Sequence, residues 1–174
     1  PLNANGGFKE VQVYGKTYKG KALYDILEVY VRRAFFAVDE KERAKGADLM
    51  WYIWAGPNSP LFGKDQMTTF ERYFIADKAT HVELKNAYYD FLEDEQVVDK
   101  ILQEFGLGKE GTHIINGHVP VHHKDGESPV KCGGKVIVID GGFCEAYRNV
   151  TGIAGYTLVY SSYGLSLTAH EPFT

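Results

Sequence analysis

The sequence predicts an α+β protein whose helices come first and whose strands come last. Three observations carry that reading. Apolar residues recur at three and four between Leu23 and Val38, and a second helical stripe runs from Val98 to Phe105. From Thr112 onward the apolar residues instead gather in short runs separated by glycine, the pattern of strands and turns.

Residues 8–19 read as two short strands around Gly15, a hairpin at a sheet edge. Leu23, Ile26, Leu27, Tyr30, Val31, Ala34, Phe35 and Val38 then form one inward stripe, with Glu28 and Arg32 paired across one turn on the other face. Helix is predicted over 21–43. Residues 50–65 are aromatic and then rich in glycine and proline, and Pro57 and Pro60 predict an irregular loop around Trp54 and Phe62. A short helix is predicted over 66–76 with Met67, Phe70 and Phe74 inward. A third is predicted over 93–105, with Val98, Ile101, Leu102 and Phe105 inward. Its first turn carries Glu93, Asp94 and Glu95, where the helix dipole favours negative charge, and Gly106 fits the C-terminal cap.

Segments 112–117, 135–142, 155–164 and 165–173 read as strands, the last two as a hairpin turning near Tyr163 and Gly164. The continuous apolar run 136–139 is bounded by glycine on both sides and predicts a strand covered on both faces. The predicted organisation is a hairpin (1–20), a helical segment (21–110) and a sheet portion (111–174).

Composition narrows the function classes. Among 174 residues, 19 Lys and Arg against 23 Asp and Glu leave a formal charge of −4, which argues against nucleic acid or an anionic membrane as partner. Hydrophobic residues at 44% and charged residues at 24% exclude wholesale disorder. No apolar run approaches the ~18 residues of a spanning helix. Aromatic residues reach 14%, enough to furnish an interface or a pocket as well as a core. Cys132 and Cys144 read as free thiols of a reducing compartment, with a single disulfide as the alternative. The chain opens at Pro1 without a leader or an initiator methionine, as expected of a processed product or a piece of a longer chain.

Asn116-Gly117-His118-Val119-Pro120 is the most informative motif. A histidine straight after a strand and a glycine sits at the carboxyl edge of a sheet, where open α/β sheets place ligands. Gly117 is expected to let the backbone turn, His118 to offer a ring nitrogen to a metal, and Asp140 and Asn116 to be its orienting neighbours. The bland alternative, which the local sequence favours, is a loop histidine with one ordinary hydrogen bond.

Adjacent His122 and His123 would point to opposite faces of a strand and read as solvated loop residues, while His81, His113 and His170 carry no spacing signal. The Gly106, Gly108 and Gly111 spacing copies a dinucleotide fingerprint but follows a helix and opens a strand, so it is rejected. Lys64, Arg72 and Lys78 place cations around the Pro-rich loop, suited either to a phosphorylated ligand or to a solvated face. Lys131 and Lys135, flanking Gly133 and Gly134, form a second such group.

Taken together, GPNSPLFGKDQMTTFERYFIADK (56–78), ILQEFGL (101–107), HIINGHVPV (113–121), GESPVK (126–131), GGKVIVIDGGF (133–143) and TGIAGYTLVYSSYGLSLTAHEPF (151–173) closely resemble the carboxyl-terminal part of class III fructose-1,6-bisphosphatases of Firmicutes. The resemblance implies a calcineurin-like metallophosphoesterase: a helical cap followed by the last strands of a two-sheet αββα sandwich, incomplete in this chain. It implies hydrolysis of fructose 1,6-bisphosphate to fructose 6-phosphate and phosphate, in gluconeogenesis, in the cytoplasm, with a dinuclear manganese centre. Of the family's metal motifs (GDxH, GDxxDRG, GNHD, a later histidine-glycine, and a final glycine-histidine), only the last is present, as Gly117-His118.

His118 is therefore the expected ligand to the second metal. Two metals about 4 Å apart need several carboxylates and imidazoles between them, and a single imidazole does not hold a catalytic ion. The chain alone is expected to be inactive and without bound metal. Lys64, Arg72 and Lys131 are the expected substrate-binding cations, and a truncated sandwich is expected to expose apolar surface and self-associate as a homo-oligomer. The competing readings are a non-catalytic binding or regulatory module that keeps part of the fold, and a phosphatase of another sugar phosphate.

Overall fold

The computed structural model describes residues 1–108 and 110–171, with backbone alone at 146 and 147. It is α+β with small sheets, and divides into two compact units that meet in sequence between Phe91 and Leu92. Positions 172–173 of the last predicted strand, and Lys109, lie outside the described residues.

The first unit begins with a hairpin, β1 (Val11–Val13) and β2 (Lys16–Tyr18), antiparallel with Val13 opposite Lys16. Its two-residue turn holds Tyr14 and Gly15 at φ +48° and +79°, the left-handed pair that lets a tight turn follow the strand twist. Two helices follow, α1 (Gly20–Phe36) and α2 (Glu40–Ala55). Val11 and Val13 of the hairpin, Leu23 and Leu27 of α1, and Leu49 and Ile53 of α2 form its core. Each such buried aliphatic side chain contributes roughly 1.5–3 kcal/mol.

The single helix predicted over 21–43 is thus two. Asp39 interrupts it, because its carboxylate accepts the Glu42 amide at 3.0 Å and caps α2. The inward stripe also ends early: Leu23 and Leu27 are buried, whereas Phe35 and Val38 are 80% and 95% exposed. Helix α2 runs through the first aromatic residues of the segment predicted as loop and stops at Gly56, just before Pro57.

Helix α3 (Thr69–Phe74) is shorter than predicted and reversed in orientation. Phe70 and Phe74 are 74% and 80% exposed, and Met67 is exposed as well. The helix is held by its polar edge, where Arg72 bonds Thr68 and the His81 carbonyl, so its aromatic face turns outward. Single turns of 3-10 helix cover Lys78–His81 and Ala87–Asp90.

In the second unit, α4 (Glu95–Glu104) begins with Asp94 accepting the Gln96 and Val97 amides at 3.0 and 3.1 Å. It ends with Gly106 in the left-handed region, as expected. Strands β3 (Ile114–Asn116), β4 (Val130–Lys131) and β5 (Val136–Val138) form one sheet in the order β3-β5-β4. β5 runs parallel to β3 and antiparallel to β4. All three β5 residues are buried, as their apolar run predicts. Val136 packs with Val98 and Leu102 of α4, while Val138 packs with Val121, Ile153 and Tyr156. After a short helix α5 (Glu145–Thr151), β6 (Gly155–Ser161) and β7 (Gly164–His170) close the described chain as an antiparallel hairpin around Ser162 and Tyr163. His122 and His123 stand at a 3-10 turn (His123–Asp125), not in a strand, and both are exposed. Both cysteines are free.

Gly46 explains how closely α1 and α2 approach: a Cβ there would lie 1.5 Å from the Ala34 Cβ. Ala gains about 1 kcal/mol over Gly in a helix interior, but overpacking typically costs 1–3 kcal/mol and here must move a backbone. Gly46→Ala is therefore expected to lower stability by about 1–2 kcal/mol in urea denaturation, and an unchanged or raised midpoint would contradict this packing.

Candidate functional site

The candidate site lies where β3 ends. The Asn116 carbonyl accepts the Ile139 amide at 2.9 Å, and five residues later the Val121 amide donates to the Asp140 carbonyl at 2.7 Å. The loop 117–120 is thus tied at both ends to the continuation of β5. Val121, 1% exposed, anchors it in the core beside Val138, Ile153 and Tyr156. His118 projects from this loop, exposed, at φ +70°. The left-handed turn expected at Gly117 therefore falls on His118. A Cβ at Gly117 would meet nothing nearer than 3.9 Å, so that glycine is not sterically required. A non-glycine residue in this region is uncommon, although histidine is among the enriched types.

Asp140 stands next to the loop, and its carboxylate accepts the Gly142 amide at 2.8 Å. Among the described residues no hydrogen bond joins it to the His118 ring; Asp140 meets the loop through its backbone carbonyl, at Val121. Behind Asp140 the chain crosses β6 closely: a Cβ at Gly141 would lie 2.6 Å from the Gly155 Cα. His123 Nδ1 lies 3.3 Å from the Tyr156 hydroxyl, and His122 Nδ1 lies 3.5 Å from an Asp125 carboxylate oxygen.

Two lysines of this unit, Lys131 and Lys135, are matched by carboxylates. Lys131, its side chain only 11% exposed, donates to Glu127 at 2.7 Å, and Glu127 also accepts the His122 amide. Burial works to raise the Glu127 carboxyl, but the bonds from Lys131 and His122 outweigh it and hold it below the usual range. Lys135 bridges Glu95 and Asp99 at 2.8 and 2.7 Å, and those two bonds raise its ammonium above the usual lysine value.

In the first unit the structure brings Lys64 and Arg72 into one network. Lys64 donates to Glu83 at 2.7 Å, Thr68 donates to the same carboxylate through its amide and hydroxyl at 3.0 Å, and Arg72 Nε donates to the Thr68 hydroxyl at 3.0 Å. A terminal Arg72 nitrogen donates to the His81 carbonyl at 3.0 Å. The His81 ring in turn bonds the Glu71 and Ile75 carbonyls at the end of α3. Lys78 is exposed on the following turn. Thr68, His81 and Glu83 escape sequence reasoning because they are up to 15 residues apart and belong to no motif.

A profile of the family described as Firmicute fructose-1,6-bisphosphatase matches residues 1–174. The chain belongs to that family. It is 57% identical over 175 residues to a protein named Fructose-1,6-bisphosphatase class 3 from Clostridium botulinum (strain Kyoto / Type A2), covering 100% of this chain and 26% of that relative. It is 58% identical over 174 residues to the protein of the same name from Clostridium acetobutylicum, covering 99% of this chain and 26% of the relative. The chain thus spans about a quarter of the length of these relatives. No solved structure matches it.

The described residues of this member of the Firmicute fructose-1,6-bisphosphatase family contain no group of three His, Cys, Asp or Glu side chains able to hold a metal ion. The residues present do not by themselves fit a metal centre, and His118 is a single exposed donor. No described helix is long and apolar enough to cross a membrane.

Glu83 makes the network pH-sensitive. Bonds from Lys64 and then Thr68 hold its carboxyl near 2, against 4.5 when free. A depressed carboxylate stabilises the fold above its free value and loses that contribution as pH falls toward the folded value. Its side chain is 17% exposed, so the stabilisation is on the order of 2 kcal/mol after screening. Stability measured by denaturation is expected to hold above about pH 4.5 and to fall between pH 4.5 and 2. Glu83→Gln should flatten part of that slope, and an unaltered slope would remove Glu83 from this role.

Proposed function

We propose that this chain is the carboxyl-terminal portion of a metal-dependent fructose-1,6-bisphosphatase that hydrolyses fructose 1,6-bisphosphate to fructose 6-phosphate and phosphate. The observation that carries the reading is the collinear match of residues 1–174 to the family, with 57% identity to class 3 relatives. On this reading the protein is a cytoplasmic enzyme of gluconeogenesis built on a calcineurin-like metallophosphoesterase sandwich. Its second unit supplies the last strands and its first unit lies within a cap segment.

His118 is the metal donor this chain would contribute to a dinuclear manganese centre, the other donors coming from the remainder of the protein. Such a centre supplies a hydroxide nucleophile and neutralises charge on the phosphoryl oxygens. This chain's own part is to hold one imidazole at the sheet edge. Three things support that role: the ring is exposed, it follows β3 directly, and its loop is tied down at Asn116 and Val121. The 174 residues alone, with one such donor, are inactive and bind no metal. The bisphosphate needs a second phosphate site, for which Arg72 is the best supported cation, because no carboxylate pairs with it among the described residues. Lys64 and Lys131 must first release Glu83 and Glu127. The exposed aromatic residues of α1, α2 and α3 support self-association of the isolated chain.

Phosphate release from fructose 1,6-bisphosphate by the full-length protein with added manganese tests the reading. His118→Ala is expected to lower kcat/KM by at least a hundredfold, and the isolated chain to release no phosphate; a fully active His118→Ala protein would refute the ligand assignment. Arg72→Ala is expected to raise KM for the bisphosphate about tenfold, and an unaltered KM would place the second phosphate elsewhere. In sedimentation the isolated chain should run larger than a monomer at high concentration.

A further inference from the structure

The first unit carries a cavity that the hydrolytic reading leaves unused. Tyr14 from the β1–β2 turn, Tyr30 and Arg33 from α1, and Glu42, Lys45 and Gly46 from α2 line a space of about 220 Å³. That is smaller than the roughly 300–1,000 Å³ of drug-sized sites, so an occupant must be small. One wall is aromatic: the Tyr14 and Tyr30 rings meet edge to face with centroids 4.7 Å apart. Tyr14 is held there despite its cost. It occupies the left-handed region at φ +48°, where Asn or Gly would sit without strain, and its hydroxyl donates to the Lys45 carbonyl at 2.8 Å.

The charges on this wall are not balanced. Glu42, the acid of the lining, is already engaged by Lys45 at 3.3 Å. Arg33 has no carboxylate partner among the described residues, and its guanidinium lies 5.7 Å from the Tyr30 ring centroid. Stacking on an aromatic face restrains a guanidinium while leaving its N–H edges open, the arrangement that receives a phosphoryl or carboxylate group through two parallel bonds. Gly46 contributes only backbone to the lining.

We propose that this cavity binds a small organic anion, with a flat apolar body against Tyr14 and Tyr30 and its phosphoryl or carboxylate group on Arg33. The site is built wholly from the first unit and does not depend on the role of His118. Phenylphosphonate, which a phosphatase does not hydrolyse, and benzoate are suitable probes, titrated into the full-length protein by calorimetry with inorganic phosphate as the ring-free control. One of the two aromatic probes is expected to bind with Kd of roughly 0.1–1 mM, the range of a small, half-open site. Preference between them identifies the anionic group. Arg33→Gln, at an exposed position of α1, should weaken that binding at least tenfold. Tyr14→Asn, which suits the left-handed turn, should weaken it severalfold. Binding at the hydrolytic centre would be untouched by either change, so a titration insensitive to Arg33→Gln overturns the proposal. Inorganic phosphate binding as tightly as phenylphosphonate, or no binding of either aromatic probe, overturns it too.

Discussion

Burial of the three-residue strand β5 is the constraint on which the second unit depends. Val136, Ile137 and Val138 are all removed from water, so every backbone group of that strand must find a protein partner. β3 and β4 supply them on its two edges. The same strand ties two small cores together, since Val136 packs on α4 and Val138 on Val121, Ile153 and Tyr156. Beyond its last residue, Ile139 and Asp140 continue the line and bond Asn116, Val121 and Tyr156 by backbone. The loop bearing His118 is therefore placed by hydrogen bonds and packing that do not involve the histidine ring at all.

The first unit is organised differently. Its core is helical and rests on the close crossing of α1 and α2, which Gly46 and Ala34 permit. Around it the loops between α2 and residue 91 contain few buried apolar side chains and are held by polar groups instead. Glu83 gathers Lys64 and Thr68, Thr68 receives Arg72, and His81 closes the end of α3. One carboxylate so engaged commits Lys64 to structure and, through Thr68, orients Arg72. Cationic composition near a Pro-rich loop is thus a poor guide to which side chains are available to a ligand, whereas Arg33, stacked on Tyr30 without an acidic neighbour bound to it, is available.

Much of the local structure was legible in the residues. The hairpin around Gly15, α4 with its Asp94 cap and Gly106 stop, the buried strand at 136–138 and the final hairpin all follow from signals a few residues long. The break at Asp39 was legible too, in an Asp followed three residues later by Glu, but the longer apolar stripe masked it. The outward face of α3 was not. Phe70 and Phe74 have the spacing of a core stripe, and only the bonds of Thr68 and Arg72 to distant residues decide that this face points away.

Sequence alone therefore determined the order and type of most elements and the family. These rest on spacing along the chain and on long collinear matches, which need no knowledge of what lies nearby in space. Tertiary structure alone decided that His118 rather than Gly117 takes the left-handed turn, that Asp140 meets the histidine loop through its carbonyl, and that Glu83 claims Lys64. Each depends on contacts between residues far apart in the chain, and such contacts exist only once the backbone has closed.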